Sequence, residues 1–188
     1  MPVMRTRPLA DSADLTEKAI CFLTESTSSF AMNQDDATCV VPYLRWVNFS
    51  AGAVLYREND DTKTSYMLLL LEGDVSIDVG SAGRAERVAI SVLGPGALIG
   101  EMSLLDQAPR SANCIAITNV QAAGLSLGGL ELLVKENPSV AFKLLAYTAR
   151  NTINRLRSLS EQLHMYDELN TNLHQEIAQL RLSTSNPN

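Results

Sequence analysis

Seven short β-type runs lie between residues 40 and 126: VVPYLRWVNF (40–49), AVLYR (53–57), YMLLLLEG (66–73), DVSIDV (74–79), RVAISVL (87–93), NCIAIT (113–118) and QAAGLS (121–126). Turn-forming residues separate most of them, as at Ser50-Ala51-Gly52, Asn59-Asp60-Asp61, Gly73-Asp74 and Gly94-Pro95-Gly96. Short strands at this spacing cannot wind a parallel sheet, because each parallel crossover needs a dozen or more residues. An antiparallel sandwich or jelly-roll-like barrel is predicted.

The rhythm breaks once. Between Ile99 and Ala112 no alternation is present, and GEMSLLD (100–106) reads as a single helical turn opened by a glycine. Upstream, the first dozen residues read as a loose arm, and Leu15, Ala19, Ile20 and Leu23 share one face of an amphipathic helix over 13–26. Downstream, Leu130, Leu133 and Val134 suit a helix that ends near Asn137-Pro138, since proline suits a helix start and not an interior.

A long helix is then predicted over about 139–182. Phe142, Ala149, Leu156, Leu163, Asn170 and Ile177 occupy heptad position a, and Leu145, Thr152, Leu159, Tyr166, Leu173 and Leu180 position d. A sustained heptad keeps one seam facing a partner helix. Asn170 favours a parallel, two-stranded register, in which two amides pair across the seam, and Glu176 can pair with Arg181 between parallel chains. The first turns suit packing on the chain's own β domain. From Leu156 through Leu159, Leu163, Tyr166, Asn170, Leu173 and Ile177 to Leu180, the seam suits a homodimer.

Four segments result: an arm and helix (1–38), a β-roll with its short helix (39–137), a long helix (138–182) and a polar tail (183–188).

Charge narrows the function. A net charge of −6 over 188 residues argues against a surface made for nucleic acid phosphates. The longest purely apolar run, Tyr66 to Leu71, is far short of the roughly 20 residues a membrane-spanning helix needs. No apolar signal-peptide core follows the N-terminus, so a cytoplasmic protein is expected. Cys21, Cys39 and Cys114 are widely spaced and odd in number, and are read as buried free thiols. A redox role for Cys114, just after the helical turn, is a variant. No metal-ligand cluster and no nucleophile–base pair is evident, and His164 and His174 fall on the long helix, so no enzyme is expected.

The interruption itself, GALIGEMSLLDQAPRSAN (96–113), carries the chemistry. Gly100 lets backbone approach a ligand, the following turn offers unpartnered N–H groups, and Arg110 adds a planar fork of donors suited to a phosphate. Ser111 adds a hydroxyl, and Ala112 leaves its own N–H accessible. A carboxylate beside a phosphate would repel it, so Glu101 is assigned to sugar hydroxyls nearby. Asp106 is read as a turn residue. One anion plus one diol describes a nucleotide whose phosphate lies close to its ribose.

The order G-x-G-x-L-I-G-E-M-S-L-L followed by P-R-S-A resembles the phosphate-binding cassette of the cyclic nucleotide-binding domain family, and AGAVLYREND and YMLLLLEGDVSI follow its order of glycines and strands. The resemblance covers roughly residues 40–157. It implies a mainly β fold, a double-stranded β-helix flanked by helices, with the long C-terminal helix as a coiled coil. It implies that Glu101 binds the ribose 2′-hydroxyl and Arg110 the cyclic phosphate, with Gly100, Met102, Ser103, Ser111 and Ala112 completing the contacts. Catabolite-activator-like members read adenine with a Thr-Ser pair in the long helix, where this chain has Arg155-Leu156. Thr152 or Arg155 is expected to serve the base instead, with cAMP favoured over cGMP. Only residues 183–188 follow the long helix, so no DNA-binding domain is expected. The expected function is a cyclic nucleotide sensor signalling to an unidentified partner protein through its coiled coil. The alternative is a ligand-free structural adaptor with the same fold, or a Glu101–Arg110 ion pair that only stitches the roll.

Overall fold

A computed structural model describes residues 6–25, 29–60, 66–79 and 88–184. Among these residues nine strands form two antiparallel sheets. The first has order β1 (Arg7–Pro8), β2 (Arg45–Phe49), β9 (Val120–Ser126), β4 (Tyr66–Glu72), β7 (Leu98–Ile99); the second has order β3 (Val54–Tyr56), β8 (Asn113–Ala116), β5 (Val75–Val79), β6 (Val88–Leu93). Helices α1 (Ala13–Thr24), α2 (Gln34–Val40), α3 (Glu101–Asp106), α4 (Leu127–Glu136) and α5 (Pro138–Thr184) complete the chain, which divides into two compact units at Thr148/Ala149. The predicted jelly-roll-like β fold and the long C-terminal helix are both present.

The uninterrupted apolar run of β4 has a simple cause. Leu68 and Leu70 point into a core shared with Val47, Val75, Ile99 and Ala122, and so lie between the sheets. Met67, Leu69 and Leu71 point the other way, into a core lined by α1, α2, α4 and the start of α5. A strand covered on both faces has no polar side. At about 1.5–3 kcal/mol for each buried leucine, β4 is a principal anchor of the first unit.

Two readings of the N-terminal region are corrected. Residues 7–8 are not a loose arm: they pair with Trp46 and Arg45 of β2, and Leu9 is fully buried. The run read as strand-type over 40–49 does not begin as a strand, because residues 34–43 are helical. They form α2 and a 3-10 turn, started by a reciprocal cap in which Asn33 Oδ1 accepts from Asp36 N and the Asp36 carboxylate accepts from Asn33 N. The polar stretch NQDDAT (33–38) contains that cap. β2 therefore begins only at Arg45.

α1 buries Leu15, Ala19 and Leu23, as its spacing required. α4 starts on Ser126, whose hydroxyl accepts from Gly129 N, and α5 starts on Pro138. Its first three turns bury Val140, Ala141, Leu144 and Tyr147. Lys143 pairs with Asp36 of α2, and the Tyr147 hydroxyl donates to Phe22 O of α1. In the second unit α5 continues as a regular helix. No helix among the described residues is long and apolar enough to cross a membrane.

The thiols also differ from expectation. Cys114 is buried, but Cys21 and Cys39 are exposed on the outer surfaces of α1 and α2, because neither falls on its helix's apolar stripe.

Candidate functional site

The turn Gly94–Ala97 is held against β4 by Gly96 N→Leu70 O at 2.8 Å and Leu70 N→Ala97 O at 2.9 Å. β7 then pairs with β4, Leu98 opposite Leu69 and Ile99 opposite Leu68, which brings the chain to Gly100 beside Tyr66. Gly100 takes a left-handed conformation, φ +73°, and caps α3. A Cβ there would collide with Arg110 Nη1 and come within 3.0 Å of Tyr66 O. Glycine is required on both counts.

α3 has two faces. Leu104 faces the helix-lined core, while Glu101 and Ser103 are buried, at 3% and 6% exposure. Met102 and Leu105 face outward. The helix stops at Gln107, also left-handed, and Asp106 accepts from Ala108 N at 2.9 Å, the turn role its position suggested. The chain then crosses to the second sheet. Arg110 is tied to the loop after β3 by Asn59 N→Arg110 O at 2.8 Å, and Asn113 opens β8.

The side chain of Arg110 runs back toward the first sheet and is only 4% exposed. Nη1 donates to Gly100 O and Nη2 to Tyr66 O, each at 3.0 Å. Its guanidinium lies 4.5 Å from the ring centroid of Tyr56 and 4.6 Å from that of Tyr66. Burying a cation is unfavourable unless dipoles and π faces replace its water. Here two carbonyls and two rings do so, and the two bonds use two of the five N–H donors of the fork.

Both phenols are raised above the ordinary tyrosine range, chiefly by burial, with the nearby Arg110 charge opposing the rise. The Glu101 charge also raises Tyr56, and Glu101 directly follows Gly100, whose carbonyl holds Arg110. The Tyr66 hydroxyl donates to Leu55 O at 3.2 Å, linking the two sheets beneath the guanidinium.

The structure thus brings together Gly100, Glu101, Met102, Ser103, Arg110, Ser111 and Ala112. Ser111 is exposed and its hydroxyl lies 3.9 Å from the Met102 sulfur; Ala112 is nearly buried. Thr152 and Arg155 lie on α5 past Thr148, one turn apart, in the second unit. Of the seam residues, Leu156, Leu163, Tyr166, Asn170, Leu173 and Ile177 are exposed and Leu159 is half-buried. The side chain of Leu180 lies outside the described residues. Tyr56 and Tyr66 were missed as site residues, because each reads as the apolar end of a strand. The signal available was an aromatic on either side of the Asn59-Asp60-Asp61 turn.

The end of the roll thus carries guanidinium donors from Arg110 and a buried carboxylate, Glu101, one residue after the carbonyl that Arg110 Nη1 binds. Among the described residues, no three histidine, cysteine or acidic side chains converge as a metal set.

Residues 46–137 match the family model described as "Cyclic nucleotide-binding domain". The chain is 30% identical over 131 residues to a cyclic AMP receptor protein of Thermus thermophilus, covering 70% of this chain and 57% of that protein. It is 27% identical to a CRP-like cAMP-activated global transcriptional regulator of Mycobacterium tuberculosis, over 64% of this chain and 50% of that one. The chain thus spans about half the length of these relatives. Among solved structures, a cyclic nucleotide-binding domain from Methylobacillus flagellatus superposes with a TM-score of 0.75 at 25% identity, covering 86% of this chain and 88% of the other. Its sheets, its cassette and this match assign the chain to the cyclic nucleotide-binding domain family.

Proposed function

We propose that this chain is a regulatory sensor of a cyclic nucleotide, with cAMP as the ligand, and that it signals through α5 rather than by catalysis. The observation that carries the reading is a buried guanidinium, Arg110, bound to the carbonyl of Gly100 next to a buried carboxylate, Glu101, at the end of the β-roll of a domain of this family. In the proposed complex Arg110 and the backbone of Gly100–Ser103 hold the cyclic phosphate, with Ser111 and Ala112 beside it. Glu101 accepts from the ribose 2′-hydroxyl. Thr152 or Arg155 serves the base, and Arg155 in place of threonine is the position that sets base preference.

Ligand binding shifts the population of α5 conformations, and a parallel homodimer carries that shift to a partner protein. The exposed apolar seam supports the dimer: Leu163 and Tyr166 are 69% and 68% exposed, and no other described residue of their unit covers them.

Calorimetric titration of wild type and Arg110→Ala with cAMP, cGMP and a cyclic dinucleotide tests the reading. Saturable heat with cAMP is expected, and truncating one partner of a buried charged contact costs about 2–5 kcal/mol, so the variant's affinity falls by about 30-fold or more. Equal heats for the two proteins, or none from wild type, refute it and leave the ligand-free adaptor.

A further inference from the structure

Arg110 is held by more than the cassette that contains it. Tyr56 closes β3 of the second sheet and Tyr66 opens β4 of the first, so one ring comes from each sheet. The guanidinium carbon lies at nearly equal distances from the two centroids, 4.5 and 4.6 Å. The carbonyls of Gly100 and Tyr66 fix both Nη atoms. Tyr66 is tied through its hydroxyl to Leu55 O, and Tyr56 is half-buried against the core that contains Cys114.

We infer that Tyr56 and Tyr66 form an aromatic clamp that sets the plane of Arg110 and so determines the affinity and selectivity of the anion subsite. A guanidinium with one ring centroid at 4.5 Å and another at 4.6 Å meets an incoming anion through its N–H edge. Edge-on recognition favours a group that offers two oxygens in one plane, as a phosphodiester does, over a single-oxygen acceptor. The tyrosines are positioning residues: they act through Arg110. Because the cation is placed before the ligand arrives, less ordering cost falls on binding.

This inference rests on the cyclic nucleotide reading, and the test separates the two. cAMP is titrated into wild type, Tyr56→Leu, Tyr56→Phe, Tyr66→Phe, Arg110→Lys and the double variant Tyr56→Leu/Arg110→Lys. Thermal unfolding without nucleotide is recorded for each.

Losing one ring contact is expected to weaken binding about tenfold in Tyr56→Leu. Tyr56→Phe keeps the ring and stays within about twofold of wild type, whereas Tyr66→Phe loses the tie to Leu55 and falls between. Lysine has no plane to be held and keeps only a point-charge contact with the ring, so Tyr56→Leu costs clearly less in the Arg110→Lys background than in wild type. A ring that merely supports the fold would weaken binding equally in both backgrounds, and that additivity overturns the clamp. Wild-type affinity in a folded Tyr56→Leu overturns it as well. If Tyr56→Leu does not fold, Tyr56→Phe and Tyr66→Phe decide: a larger loss in Tyr56→Phe than in Tyr66→Phe overturns it, and the reverse supports it. Failure of wild type to bind any cyclic nucleotide removes the underlying reading instead.

Discussion

Gly100→Ala is the substitution whose cost can be worked out most directly. Two separate penalties meet at this residue. A left-handed backbone costs an L-residue about 1–2 kcal/mol, and Gly100 sits at φ +73°. The new Cβ would also displace Arg110 Nη1 from Gly100 O, a charge-assisted hydrogen bond worth about 1.5–3 kcal/mol. Together the loss is about 2.5–5 kcal/mol, a large share of the 5–15 kcal/mol that holds an ordinary domain folded. Gly52 provides the control. It has the same handedness, φ +79°, but open space around its Cβ, so Gly52→Ala costs only the backbone part, about 1–2 kcal/mol. The entropy an alanine removes from the unfolded chain is common to both and cancels in the comparison. Urea unfolding of the three proteins gives the stability difference, and a cAMP titration gives the effect on the subsite, expected to be at least about tenfold. Equal destabilisation by the two alanines, with undiminished binding by Gly100→Ala, would refute the argument that Gly100 exists to make room for the guanidinium.

Acid unfolding should report the contact between Asp36 and Lys143. Lys143 holds the Asp36 carboxyl below its usual range, helped by Asn33 N. A depressed folded pKa contributes stability that is present above the unfolded value, near about 3.9, and lost as pH falls through the lower folded value. Asp36→Asn should therefore be less stable than wild type at neutral pH and should converge with it in strong acid; a pH-independent gap would show the coupling to be wrong. In the second unit, Leu163→Lys should reduce self-association measured by sedimentation while leaving the melting of the first unit unchanged, and undiminished association would exclude the seam as the interface. Alkylation of the native protein should label Cys21 and Cys39 and spare Cys114, and rapid labelling of Cys114 would contradict its burial.

The β architecture was legible because turn chemistry is local. Gly94-Pro95-Gly96 and Ser50-Ala51-Gly52 mark reversals whatever the rest of the chain does, and the spacing between such marks leaves antiparallel pairing as the accessible solution. α2 was not legible for a related reason: its cap, Asn33 with Asp36, uses the residue types that also build loops, and the helix is only seven residues long. The pairing of residues 7–8 with β2 was hidden because an edge strand two residues long has no periodicity to read.

For the site, local sequence determined the composition of the cradle: Gly100, Glu101, Arg110, Ser111 and Ala112 lie within one interrupted stretch, and their donor and acceptor chemistry can be read residue by residue. Tertiary structure decided what holds Arg110 in place. Tyr56 and Tyr66 lie 54 and 44 positions from it and come from different sheets, and no local pattern encodes their meeting. The physical reason is that a π face acts only at contact distance and in a given orientation. Such contacts exist only once the pairing of both sheets has brought the end of β3 and the start of β4 to Arg110.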